Sequence, residues 1–177
     1  MTKTESVPQV NTWYDASNKG DPTSKGRAIG GHIVYIGNSP IEWKSTMNTH
    51  PGQSAQHNEY QALASASKAT AWVRHLLQDM GLGAWTSGPT PLLGDNNAAI
   101  TLARNDILTT GNRFYTPDLH YAKDAFETGI TCPRKVATDN NISDAMTKNT
   151  PTATFQRHVE MICGYEALPT FPGPPRK

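Results

Sequence analysis

From Ser54 to Met80 the chain reads SAQHNEYQALASASKATAWVRHLLQDM, with Leu63, Ala66, Thr70, Val73, Leu77 and Met80 recurring at intervals of three and four. That period predicts an amphipathic helix, started by Ser54 as N-cap and stopped by Gly81 and Gly83. About 26 residues at 1.5 Å each make a rod of roughly 39 Å, enough to cross the whole face of a sheet, so this is expected to be the central helix. From Ala55 onward its acids are only Glu59 and Asp79. A solvated helix face would scatter several charges, so the isolated Glu59 near the start invites a search for partners.

The partners come from what flanks the helix. VNTWY (10–14) reads as a first strand that delivers Asp15 at its end, ahead of the turn-rich ASNKGDPTSKG. RAIGGHIVYIG (27–37) and PIEWKSTM (40–47) read as two further strands joined tightly through NS, giving three antiparallel strands. After the helix, the short apolar run Pro91–Leu93 again ends in an acid, Asp95, and NNAAITLARN follows as a helix. A helix is expected from near Pro117. ITCPRKVAT then reads as a last strand, with Pro133 indicating an edge position or a bulge. NNISDAMTKN is a short helix carrying Asp144, and PTATFQRHVEMICGY is amphipathic with Phe155, Val159 and Ile162 on one face. The expected architecture is α/β, a five-stranded mixed sheet of three antiparallel strands and then two more, with helices on both faces.

A length of 177 residues suits one full core. The expected division is an N-terminal extension over 1–9, a domain over 10–164 and a Pro-rich tail over 165–177. No run approaches the length of a membrane span and MTKTESVPQV lacks the apolar centre of a secretory signal, so a soluble protein is expected. The two cysteines, Cys132 and Cys163, lack the spacing of a zinc knuckle or a redox pair, and the six histidines have no ligand spacing with them. The chain therefore reads as reduced and intracellular, without zinc.

Asp15, Glu59, Asp95 and Asp144 thus occupy a strand end, a helix start, a second strand end and a late helix. Each has an ordinary explanation: a turn cap with Ser17, a helix-dipole acid, an N-cap and a solvated acid. Brought together, they would repel one another unless a cation intervened, and hard oxygen ligands of this type suit Mg²⁺ or Mn²⁺. Two such ions can bind the attacking and leaving oxygens of a phosphodiester displacement. Setting these four aside, 11 of the 15 acids remain against 16 Lys and Arg, the sign expected around a polyanionic substrate.

The phrases YDASNKGDPTSKGRAIGGHIVYIGNSPIEWKS, EYQALASASKATAWVRHLL, DNNAAITLARN and ISDAMTKN, in this order, resemble the ribonuclease H domain of copia-type LTR retrotransposon polyproteins over most of residues 12–164. The resemblance implies a ribonuclease H-like fold and two Mg²⁺ ions, with Mn²⁺ as a substitute. It implies an endonuclease that cleaves the RNA strand of an RNA/DNA hybrid to leave 5′-phosphate and 3′-hydroxyl ends. Asp15, Glu59, Asp95 and Asp144 fall on the family's catalytic, metal-holding positions. Asp15 and Asp95 would lie closest to both ions, Glu59 by the ion nearer the leaving group and Asp144 by the ion that activates water. A reverse transcriptase domain or subunit is the implied partner, in the cytoplasm within a virus-like particle or in the nucleus.

Ser17, Asn18 and Asn96, next to proposed ligands, are the candidates for reading the hybrid's 2′-hydroxyls. The sequence also departs from the family. AQHNEY stands where STEAEY is usual, RFYTPDLHY keeps only Arg113 and His120 of a basic stretch, and ATDNN lacks the histidine that cellular ribonucleases H carry before the last acid. His120 is expected to be a packed, hydrogen-bonded histidine, and Trp72 a core residue of the long helix. The competing reading is a catalytically silent nucleic-acid-binding or architectural module that keeps the fold.

Overall fold

The computed structural model describes residues 7–17, 26–49, 54–104 and 116–168. Strands β1 (Val10–Ser17), β2 (Ile29–Ile36) and β3 (Ser39–Met47) form an antiparallel meander. Strands β4 (Thr90–Gly94) and β5 (Thr131–Lys135) extend it in parallel with β1, giving the five-stranded order β3-β2-β1-β4-β5. This is the expected mixed sheet, with β5 and its Pro133 at the edge. The β2–β3 turn is Gly37–Asn38 and not the expected Asn38–Ser39, because the left-handed conformation it needs (φ +59° at Gly37) costs glycine nothing.

Helix α1 (Ala55–Asp79) begins where expected: the Ser54 hydroxyl oxygen accepts the His57 N–H at 3.1 Å. It ends in a Schellman pair, Leu82 N–H to Leu77 O at 2.8 Å and Gly81 N–H to Gln78 O at 3.0 Å, with Gly81 at φ +76°. Its buried face is made largely of small residues, so the helix lies close to the sheet; a Cβ on Gly30 would stand 3.7 Å from that of Ala62. The Thr12 and Thr70 hydroxyls pair at 2.8 Å in this interface, and Thr70 also donates to Ala66 O, so both of these hydroxyls are satisfied.

Helices α2 (Asn97–Arg104) and α3 (Thr116–Glu127) share the α1 side, where Tyr14, Tyr60, Leu63, Leu92, Ala99 and Ala122 form one core. Successive strand residues point to opposite faces. Trp13 and Leu93 accordingly join Ile33, Tyr35, Ile142 and Met161 on the other face, under the short helix α4 (Asp144–Thr147) and α5 (Thr152–Ile162). Trp13 meets Tyr35 edge-to-face at 5.5 Å.

Three expectations are corrected. Trp72 is 59% exposed, because α1 presents the face through Thr70, Val73, Arg74 and Leu77 to the sheet. Helix α5 buries His158 and Met161, leaving Phe155 exposed and Val159 and Ile162 half-buried. His120 is exposed on α3. Cys132 and Cys163 are free thiols. Among the described residues no helix is long and apolar enough to cross a membrane.

Candidate metal centre

Because β1 and β4 run parallel with Thr12 opposite Leu92 and Trp13 opposite Leu93, Asp15 and Asp95 fall on one rung, two steps further along both chains. Asp15 lies within β1, which continues to Ser17, and not at its end. Asp95 follows the last residue of β4, and its carbonyl oxygen accepts the Lys135 ammonium at 3.3 Å.

Asp144 is brought in from the opposite face by a set of polar contacts. Asn141 Nδ2 donates to Tyr14 O at 3.1 Å, tying the segment before α4 to β1. Ser143 Oγ donates to Asn141 Oδ1 at 2.6 Å, and the Asp144 N–H to Asn141 O at 3.0 Å. Across the sheet, Ser45 Oγ donates to Met146 O at 2.6 Å. The result is that carboxylate oxygens of Asp15, Asp95 and Asp144 all lie within 4.8 Å of one another, with Asp15 and Asp144 buried and Asp95 half-buried.

Asp15 Oδ2 accepts the Thr147 hydroxyl, while Asp15 Oδ1 is buried without a hydrogen-bond partner. A buried, unpartnered carboxylate oxygen beside two further carboxylates is a fitting ligand for a hard dication. Glu59, near the start of α1, is buried outside that 4.8 Å group yet feels its charge. Burial first, then the charges of Asp15 and Asp95, pushes its carboxyl up to about 8, with Lys148 opposing. Burial and then Asp15 push Asp144 up to about 7, again opposed by Lys148. Both shifts report negative charge crowded into a poorly solvated space.

Lys148 is the residue that the sequence reading missed. Its ammonium lies 3.0 Å from Asp144 Oδ1 and 3.6 Å from Asp15 Oδ2. Burial alone would lower its pKa, but the neighbouring carboxylates outweigh that and raise it. Its four-residue spacing from Asp144 in a helical phrase was the available signal. Behind the site the Tyr14 ring lies against Gly94, where an added Cβ would stand 2.7 Å from the hydroxyl oxygen. Burial, then Glu59 and Asp95, raise that phenol further above its ordinary value.

Of the proposed substrate-reading residues, Ser17 is buried at the end of β1 and Asn96 is half-buried, its Oδ1 accepting the Ala99 N–H at 3.1 Å as a cap of α2. Asn18 and Arg113 lie outside the described residues.

No family model matches the chain. It is 27% identical over 153 residues to the Retrovirus-related Pol polyprotein from transposon RE2 of Arabidopsis thaliana, covering 86% of this chain and 10% of that polyprotein. It is 23% identical over 157 residues to that from transposon TNT 1-94 of Nicotiana tabacum, covering 89% and 12%. The chain thus spans about a tenth of the length of these curated relatives. Among solved structures it is similar to ribonuclease H1 from Halobacterium salinarum, with a TM-score of 0.51 and 18% identity over 78% of this chain and 94% of that one. The LC11 ribonuclease H1 in complex with an RNA/DNA hybrid gives a TM-score of 0.55 and 10% identity, over 78% and 94%. At these identities the structural likeness is one of fold.

Proposed function

We propose that this chain, whose fold is ribonuclease H-like and which is similar to the ribonuclease H region of copia-type Pol polyproteins, is a metal-dependent endonuclease. Its substrate in this reading is the RNA strand of an RNA/DNA hybrid, in the setting of reverse transcription. The observation that carries the reading is the convergence of Asp15, Asp95 and Asp144 within 4.8 Å. The hybrid bound by the LC11 enzyme and the retrovirus-related Pol context of the relatives support the choice of substrate and of a reverse transcriptase as partner.

In this reading Asp15, Asp95, Asp144 and Glu59 hold two Mg²⁺ ions, for which Mn²⁺ substitutes. When bound, such ions lower the pKa of water and stabilise the developing charge on the leaving oxygen. The protein's own part is orientation. Thr147 fixes one oxygen of Asp15 and leaves the other free, and Asn141 anchors the segment carrying Asp144 to β1. Burial keeps water from competing for the carboxylates. Ser17, Asn18 and Asn96 are assigned to substrate contact in this reading by their adjacency in the sequence to the proposed ligands.

The test is a cleavage assay on labelled RNA/DNA, RNA/RNA and DNA/DNA duplexes with and without Mg²⁺, using the wild type and Asp95→Asn. The expected result is cutting of the hybrid's RNA strand only, dependent on Mg²⁺ and reduced to background in the variant. Wild-type rates in Asp95→Asn would overturn the site assignment. Binding of the hybrid without product, even in Mn²⁺, would favour the silent module.

A further inference from the structure

Three carboxylates within 4.8 Å need positive charge even when no dication is bound. Among the described residues, Lys148 is paired with two of these carboxylates. Lys148 follows α4 directly, its N–H bonded to Asp144 O at 3.1 Å and its backbone extended (φ −149°, ψ 156°). Its ammonium bridges Asp144 at 3.0 Å and Asp15 at 3.6 Å.

The two groups that reach Asp15 Oδ2 differ in freedom. Thr147 is 2% exposed and also donates toward Ser143 O, so its hydroxyl is fixed. The Lys148 side chain is 35% exposed, on a flexible four-carbon stem that can carry the ammonium into solvent. An ammonium and a dication cannot share the same two carboxylates at these distances without strong mutual repulsion.

We infer that Lys148 is an internal counter-cation: it bridges Asp15 and Asp144 in the metal-free protein and leaves them when a divalent ion enters. It is a positioning residue that keeps the ligands gathered before loading. Its removal trades stability of the empty site for affinity toward the ion. Displacement leaves the ammonium at the edge of the site, where a nucleic-acid phosphate would meet it.

The inference rests on the proposed reading of these acids as a divalent-cation site, and calorimetric titration with Mn²⁺ in the absence of nucleic acid separates the two. Wild-type protein is expected to bind Mn²⁺, and Asp144→Asn to bind it much more weakly. Lys148→Met is expected to bind Mn²⁺ about tenfold more tightly or better, having no competing charge, and to melt at a lower temperature than wild type in EDTA. No Mn²⁺ binding by the wild type would defeat the underlying reading and the inference with it. Wild-type binding with equal or weaker affinity in folded Lys148→Met would overturn the inference alone. If Lys148→Met does not fold, the Nζ resonance of Lys148 in wild-type protein decides. A Mg²⁺ titration should convert it from an ordered to a mobile ammonium, and an unchanged resonance at saturation would overturn the inference.

Discussion

Gly31 stands opposite Asp15 in the β1–β2 ladder, and the absence of a side chain there is what lets α4 settle over the site. A Cβ at Gly31 would lie 2.8 Å from Thr147 Cγ2 and 2.9 Å from Met146 Cβ, inside any tolerable contact. Gly31→Ala is therefore expected to lift α4, cost about 1–3 kcal/mol by overpacking, and weaken Mn²⁺ binding by moving Asp144 from Asp15. Gly30→Ala is the control, since its Cβ meets Ala62 at an ordinary 3.7 Å. Urea unfolding and metal titration of both variants check this, and equal stability of the two would contradict it.

Glu59 and Asp144 predict an unusual pH dependence for the metal-free protein. Glu59 is raised from 4.5 to about 8 and Asp144 from 3.8 to about 7, in both cases chiefly by burial. Between the unfolded and folded values the native state holds protons that the unfolded chain has lost, so stability from these groups falls as pH rises through that window. In EDTA the protein should be more stable at pH 5.5 than at pH 8.5, by on the order of a few kcal/mol. Saturating Mg²⁺, which favours the ionised forms, should flatten the dependence, and Glu59→Gln should reduce it. Unfolding free energies that hold level or rise from pH 5.5 to 8.5 in EDTA would refute this.

Arg74 holds the connection into β4 with no carboxylate partner among the described residues. Its guanidinium donates to Gly88 O at 2.6 Å, Thr86 O at 2.9 Å and Thr90 Oγ1 at 3.0 Å. Arg74→Leu strands these acceptors and is expected to cost about 2–4 kcal/mol. Arg74→Lys should recover part of that loss. The check is a melting curve of each variant, and a Leu variant as stable as wild type would show that the network is dispensable.

The strand and helix order was legible because turn residues separate strongly patterned segments, and Ser54 and Gly81 mark the ends of α1 chemically. The meeting of Asp15, Asp95 and Asp144 was legible from the order of their phrases, while Glu59, expected with them, is buried outside their 4.8 Å group. What the sequence concealed follows from the composition of α1. Its buried face is built from Ala62, Ala66, Ser67, Thr70 and Arg74, while Trp72, Leu76 and Met80 face outward. Hydropathy contrast therefore points the wrong way at Trp72. Helix α5 likewise buries His158, whose Nε2–H donates to Asp139 O at 3.1 Å, a contact that no periodicity reveals. The meeting of Lys148 with Asp15 depends on α4 crossing β1, a contact 133 positions apart in the chain.

The most direct test of the central claim is diffraction from a crystal of the wild-type protein soaked in Mn²⁺, read from its anomalous difference density. The account predicts metal density among the carboxylates of Asp15, Asp95 and Asp144, with Glu59 facing it. A saturating soak that leaves this space without anomalous density, in a lattice that keeps it open to solvent, would contradict the account.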